Sequence, residues 1–210
     1  NGLCNEIRGC RFYGFSSMRD GGGIQLAGWG SSNCSFLIED NIGESIGWFI
    51  LLDVSVGSVV AYNYVTDVIG KFDSPEQWPH QTPAFNANHC PHGMMNLWEG
   101  NIGQQFQNDG YHGSGSHHTL FRNCFDGVNE NPKIADNLKM VDLTRFSYYH
   151  NIVGNILGNE KFPAKGVYEM SGNGIGYSEQ PCIYRLGYPN CTNNLFSLEN
   201  PPSNGDKGGF

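Results

Sequence analysis

Glu39-Asp40-Asn41-Ile42-Gly43 returns as Glu99-Gly100-Asn101-Ile102-Gly103, each copy led by an apolar pair, Leu37-Ile38 and Leu97-Trp98. Looser copies are Val59-Val60-Ala61-Tyr62-Asn63-Tyr64, Leu120-Phe121-Arg122-Asn123-Cys124 and Tyr148-Tyr149-His150-Asn151-Ile152. Every copy runs apolar, Asn, apolar. The marker asparagines at 41, 63, 101, 123 and 151 are spaced by 22, 38, 22 and 28 residues, so the base period is 22 and one interval carries 16 extra residues. A period this short, built of β-branched and aromatic stretches punctuated by Asn, Gly and Asp, is too short for a propeller blade and has no helical periodicity. It predicts an all-β chain, a right-handed parallel β-helix (solenoid) with coils of about 22 residues, each stacked on the last. Leucine-rich repeats share the length, but their Leu-x-x-Leu-x-Leu signature is missing from every copy.

In a solenoid, equivalent residues stack into ladders. An Asn ladder is expected to take left-handed backbone angles at a tight corner and to bond its side-chain amides from coil to coil. The position after it, Ile42, Tyr64, Ile102, Cys124 and Ile152, is expected to point inward as an apolar column, with Cys10 in the same slot of an earlier coil.

The composition agrees with strands and turns. The 210 residues include 29 Gly, only 15% are charged, and the formal net charge is −8. Helical bundles are richer in Ala, Glu, Lys, Leu and Arg. An acidic chain with few basic residues lacks the face that grips nucleic acid or anionic lipid. No run reaches the ~20 apolar residues of a membrane span. Residues 1–196 read as one β-helix with a lateral loop insertion at about 65–87, and residues 197–210 as a Pro/Gly/Ser-rich tail or linker. The opening at Asn1 and this tail lead to the expectation that the chain is part of a longer one. Seven cysteines leave at least one without an internal partner, and Asn33-Cys34-Ser35 and Asn190-Cys191-Thr192 fit the N-glycosylation pattern of secreted proteins.

The stretch Trp98 to Gly103, followed by Asp109-Gly110-Tyr111-His112-Gly113-Ser114-Gly115-Ser116-His117-His118-Thr119-Leu120-Phe121-Arg122-Asn123 and later by Tyr184-Arg185-Leu186-Gly187-Tyr188-Pro189-Asn190, resembles secreted right-handed β-helix proteins of the pectin-lyase-like superfamily. The resemblance covers most of Gly9 to Phe196. It implies the fold and a secreted or cell-surface location; lyases, glycoside hydrolases, tailspikes and adhesins all share that fold, so activity has to be argued from the site.

Two regions carry candidate chemistry. The insertion must loop out of the stack, where loops build binding walls. Within it Trp78 is a candidate sugar platform, the alternative being that it packs the loop onto the coil beneath, and His80 and Gln81 are candidate hydrogen-bonding partners for hydroxyls. The polar coil around Gly113-Ser114-Gly115 supplies Asp109, His112, His117, His118, Arg122 and Asp126. Glu99, Asp109 and His112 are the candidate catalytic groups for glycoside hydrolysis, which needs paired carboxylates. Arg122 is the candidate base of a lyase, which would also need calcium. His117 and His118 join the substrate-binding set. The same residues have a structural reading, bonding one turn to the next.

His112-Gly113 matches a fragment of the Gly-His-Gly motif of polygalacturonases, but no Asp-Asp pair occurs and Arg122-Asn123-Cys124 is not their Arg-x-Lys. His89, His92, His117 and His118 follow no recognised ligand spacing, so no metal or other cofactor is expected beyond that calcium. The expected partner is an extracellular polysaccharide, a neutral one more readily than a polyuronate given the net charge. The competing expectation is a non-catalytic structural segment of an adhesin, an extracellular filament or a phage-type spike, able to self-assemble.

Overall fold

The computed structural model describes residues 4–14, 22–26, 33–68, 82–87, 92–108, 114–128, 139–144, 146–160 and 182–187, and the backbone of 166–169. The described chain is a right-handed parallel β-helix whose strands stack in register into three long sheets. The first sheet holds Glu6–Arg8, Leu37–Glu39, Val59–Ala61, Leu97–Glu99, Thr119–Phe121 and Asn151–Val153. The second holds Arg11–Tyr13, Ile42–Ile46, Tyr64–Val68, Ile102–Gly103, Cys124–Phe125 and Ile156–Leu157.

The third runs from Gly22–Leu26 through Trp48–Leu52, Phe85–Asn86, Phe106–Asn108 and Lys139–Leu143, and there chain order breaks: Cys182–Leu186 comes next and Gly166–Glu169 lies outside it. Arg185 fastens the displaced strand, forming a buried ion pair with Asp142, whose carboxylate also accepts a 2.8 Å bond from Gln107.

The Asn ladder is present, and its chemistry is fuller than the repeat implied. Asn41, Asn63, Asn101, Asn123 and Asn155 stack at the corner between the first and second sheets. From Asn63 onward, each Oδ1 accepts two bonds of 2.8–3.1 Å, from the backbone N–H and the Nδ2 of the asparagine one coil earlier. Each Nδ2 also donates back to a first-sheet carbonyl, Asn63 to Ile38 and Asn101 to Val60 at 2.9 Å. A buried column of amides is thereby satisfied without water.

Three expectations are corrected here. The left-handed residue is the one before the asparagine: Gly9, Asp40, Tyr62, Gly100, Arg122 and Gly154 have φ of 54–66°. The last ladder member is Asn155; Asn151 lies in the first sheet opposite Thr119. The residue after the ladder points outward: Ile42, Tyr64, Ile102 and Ile156 are 45–65% exposed, and Ile152 belongs to the first sheet. In the first coil Cys10 occupies the asparagine slot, its N–H bonded to Asn41 Oδ1 at 3.0 Å, and Arg11 is the outward residue.

The inward column of the second sheet lies one residue later: Phe12, Gly43, Val65, Gly103, Phe125 and Leu157. Its glycines make room for rings from the third sheet. A Cβ at Gly43 would lie 2.7 Å from Phe49, and one at Gly103 2.9 Å from Phe85. The rings of Phe12, Phe49, Phe85, Trp98, Phe106 and Phe125 then follow one another at 5.2–6.4 Å along the axis, flanked by fully buried Ile38, Val60 and Leu120.

Residues 69–81 of the expected insertion lie outside the described residues, but the register of the flanking strands locates the extra length. Measured against the second coil, thirteen of the sixteen enter at the corner between the second and third sheets, and the same corner gains five in the first coil and nine in the fifth. The second and fourth coils gain none there. The longer connections therefore fall on alternate rungs, ~10 Å apart along the axis.

Asn33 is 7% exposed and its amide donates to the Leu26 carbonyl, which keeps it from a glycan in the folded chain. Asn190 and the tail lie outside the described residues. Among the described residues Cys4, Cys10, Cys34 and Cys124 are free thiols.

Candidate functional site

Glu99 ends a first-sheet strand and faces outward. Its Oε1 accepts a 3.1 Å bond from the Tyr62 hydroxyl, which raises that phenol's pKa above the usual tyrosine value. Arg122 stands at the left-handed corner next to it, its guanidinium 4.7 Å above the Phe121 ring. Glu39 is two rungs from Glu99 in the same column and is engaged by Arg8. The carboxylate pair that glycoside hydrolysis requires is thus not assembled from Glu99 and its column.

His117 and His118 lie at the opposite end of the three-residue strand Thr119–Phe121, at the corner between the third and first sheets. That strand separates them from Arg122 by ~10 Å. Asp109, His112, Trp78, His80 and Gln81 lie outside the described residues.

The third-to-first corner concentrates polar and aromatic side chains. Left-handed angles at Cys4, Ser35, Gly57, Met95, His117 and Tyr149 turn the chain out of its short bridging segment and into the first sheet. The following residue faces inward and forms a second polar ladder. Ser58 Oγ accepts the Phe36 N–H at 3.1 Å, Asn96 Oδ1 accepts the Ser58 N–H at 2.9 Å, and His118 Nδ1 accepts the Asn96 N–H at 3.4 Å. His118 has no exposed surface, and the His150 ring lies 5.3 Å from it. Burial, reinforced by the neighbouring imidazoles, lowers the His118 pKa to about 3 and that of His150 to about 4. Both are neutral near pH 7.

Outside this ladder, Ser116 occupies the bridge column Val56, Met94, Ser116 and Tyr148. Its Oγ is 2.7 Å from His92 Nε2 and 2.8 Å from His117 Nδ1, while the other nitrogen of His92 is 3.3 Å from Ser114 Oγ. His117 in turn lies 4.9 Å from the Tyr149 ring, and Tyr148 and Tyr149 are 6.0 Å apart. Both tyrosines are exposed, 56% and 74%, as is Met95.

No family model, curated protein or solved structure matches this chain. The site is read from its own geometry. Among the described residues no group of three or more His, Cys, Asp and Glu side chains is placed to hold a metal ion. What the third-to-first corner offers is a run of aromatic faces open to solvent beside hydroxyl and imidazole donors. From the sequence, the Gly113-Ser114-Gly115 neighbourhood was visible as polar. Tyr148 and Tyr149 were visible only as one copy of the repeat, and their role at the corner follows from the left-handed turn at Tyr149 that pushes both rings outward.

Proposed function

We propose that this protein is an extracellular polysaccharide-binding β-helix of pectin-lyase-like architecture, and that its ligand crosses the third-to-first corner over Tyr148, Tyr149 and His117. The observation that carries the reading is the pair of exposed, neighbouring tyrosines, with Tyr149 against His117, near Ser114, Ser116 and His92. The apolar face of a sugar ring packs on an aromatic face, and its hydroxyls need the hydrogen-bonding groups at its rim. The net charge of −8 favours neutral glycans. In affinity electrophoresis through gels containing neutral or acidic polysaccharides, the wild-type protein is expected to be retarded by a neutral one. Tyr149→Ala should weaken that retention about fivefold, the equivalent of roughly 1 kcal/mol of stacking. Unretarded wild-type migration on every polysaccharide would remove the reading.

The second reading, a structural segment that packs side by side, is favoured by one observation. Ile42, Tyr64, Ile102 and Ile156 form an exposed apolar stripe along the second sheet, with Cys124 between the last two. Such a stripe is a candidate association surface. Sedimentation velocity across roughly a hundredfold range of concentration should then show self-association that Ile102→Lys abolishes. A monomer throughout the range rejects it.

A further inference from the structure

We propose that Ser116 is a nucleophile activated by His92, and that the third-to-first corner cleaves acyl esters. The ester class, an O-acyl group on the glycan, rests on the binding reading above; the nucleophile does not.

The geometry carries the assignment. Ser116 stands in a column whose preceding members are apolar, Val56 and Met94, and whose next is Tyr148, so an outward hydroxyl there is the exception. It is 5% exposed, and two imidazole nitrogens lie within 2.8 Å of its oxygen. A serine hydroxyl has one proton. When one imidazole accepts it, the other can donate to a lone pair of the same oxygen.

A consistent arrangement has His92 Nδ1–H donating to Ser114 Oγ, Ser116 Oγ–H donating to His92 Nε2, and His117 Nδ1–H donating to Ser116 Oγ. His92 is then a general base held from behind by a hydroxyl, the nucleophile–base–orienter pattern of covalent catalysis. His117, bonded to the same oxygen, positions the hydroxyl. The backbone N–H groups of Ser116 and His117 are engaged with the Gly93 and Tyr148 carbonyls.

The reaction balances with water as the second substrate. Ser116 Oγ bonds to the acyl carbon as its proton passes to His92 Nε2, and the carbonyl electron pair moves onto the carbonyl oxygen. Collapse breaks the acyl C–O bond, and the departing sugar hydroxyl takes the proton from His92. Water then attacks the acyl-serine, giving a proton to His92. The serine oxygen leaves, recovers that proton, and the carboxylic acid is released.

The test is labelling of the full chain with a fluorophosphonate probe, followed by peptide mapping, alongside hydrolysis of p-nitrophenyl acetate. Mapping on the wild-type protein is expected to place a single adduct on Ser116. His92→Gln should slow both labelling and ester hydrolysis at least about 100-fold, and Ser116→Ala should abolish both. A folded wild-type protein that takes no adduct, or takes it elsewhere, overturns the proposal whatever the variants do. An adduct on Ser116 without glycan retention would sink the glycan reading alone. Retention without an adduct would sink the nucleophile alone.

Discussion

Asn101→Ala is expected to destabilise the protein on the order of 3–5 kcal/mol, enough to leave much of it unfolded at physiological temperature. Asn101 has no exposed surface, and its side chain serves three coils. Its Oδ1 accepts the N–H and Nδ2 of Asn63, and its Nδ2 donates to Val60 and to Asn123 Oδ1. Truncation leaves two donors of Asn63 and the Val60 carbonyl facing a gap lined by buried chain. Each orphaned group costs about 1–3 kcal/mol where water does not reach it. Asn155 at the end of the ladder is half-buried, where water reaches its partners, and it donates to no further asparagine among the described residues, so Asn155→Ala should cost much less. Urea midpoints of the two variants, compared with wild type, check this. Equal losses would mean that the ladder is not the source of the stability.

Much of the ladder was legible in the sequence, and the places where the reading slipped have physical causes. Asn-Ile occurs at both 151 and 155, and the repeat alone chose the first. The better signal is the residue before the asparagine, which must tolerate a left-handed angle: Gly154 does, matching Gly100, and His150 breaks the pattern.

The inward column was read one residue early because hydrophobicity pointed the wrong way. Ile42 and Ile102 are outward, where β-branched side chains suit a strand, whereas the inward neighbours are Gly43 and Gly103. Those glycines look like turn residues until the rings of Phe49 and Phe85 are placed over them. The binding corner was half visible. His117 could be named from its polar coil, but its contact with Tyr149 joins residues 32 positions apart, and that separation departs from the 22-residue period.

Acidification should destabilise the fold through His118, with the loss developing as pH falls from about 6.5 towards about 3. Above pH 6.5 the imidazole is neutral in both folded and unfolded chains, so it contributes nothing to the pH dependence. Below that, the unfolded chain takes up a proton that the folded one refuses, and unfolding becomes progressively easier. At pH 4.5 the deficit is roughly 2–3 kcal/mol, about 1.4 kcal/mol for each unit below the unfolded value. His150, held down to about 4 by its own burial, adds to it in the same direction.

His118→Asn isolates the effect. An asparagine at this position repeats Asn96, whose Oδ1 accepts the N–H of the preceding ladder residue, so the ladder bond is kept while the titrating ring is removed. Urea midpoints at pH 7 and pH 4.5 should differ less for this variant than for wild type. Identical differences would assign the acid sensitivity to other groups.

The inverted order at the end of the third sheet bears on how the chain is assembled in time. A solenoid can be laid down from its first coil onward, each new rung finding its template already in place. Here that rule fails at the last step. When Gly166–Glu169 emerges, the strand it will pair with, Cys182–Leu186, has yet to be made, and the ready edge is that of Lys139–Leu143. That edge is reserved for the later segment, whose Arg185 answers the buried charge of Asp142. Completion of this end therefore waits for a segment still to come, and the Arg185–Asp142 ion pair favours that segment over the earlier strand for the open place.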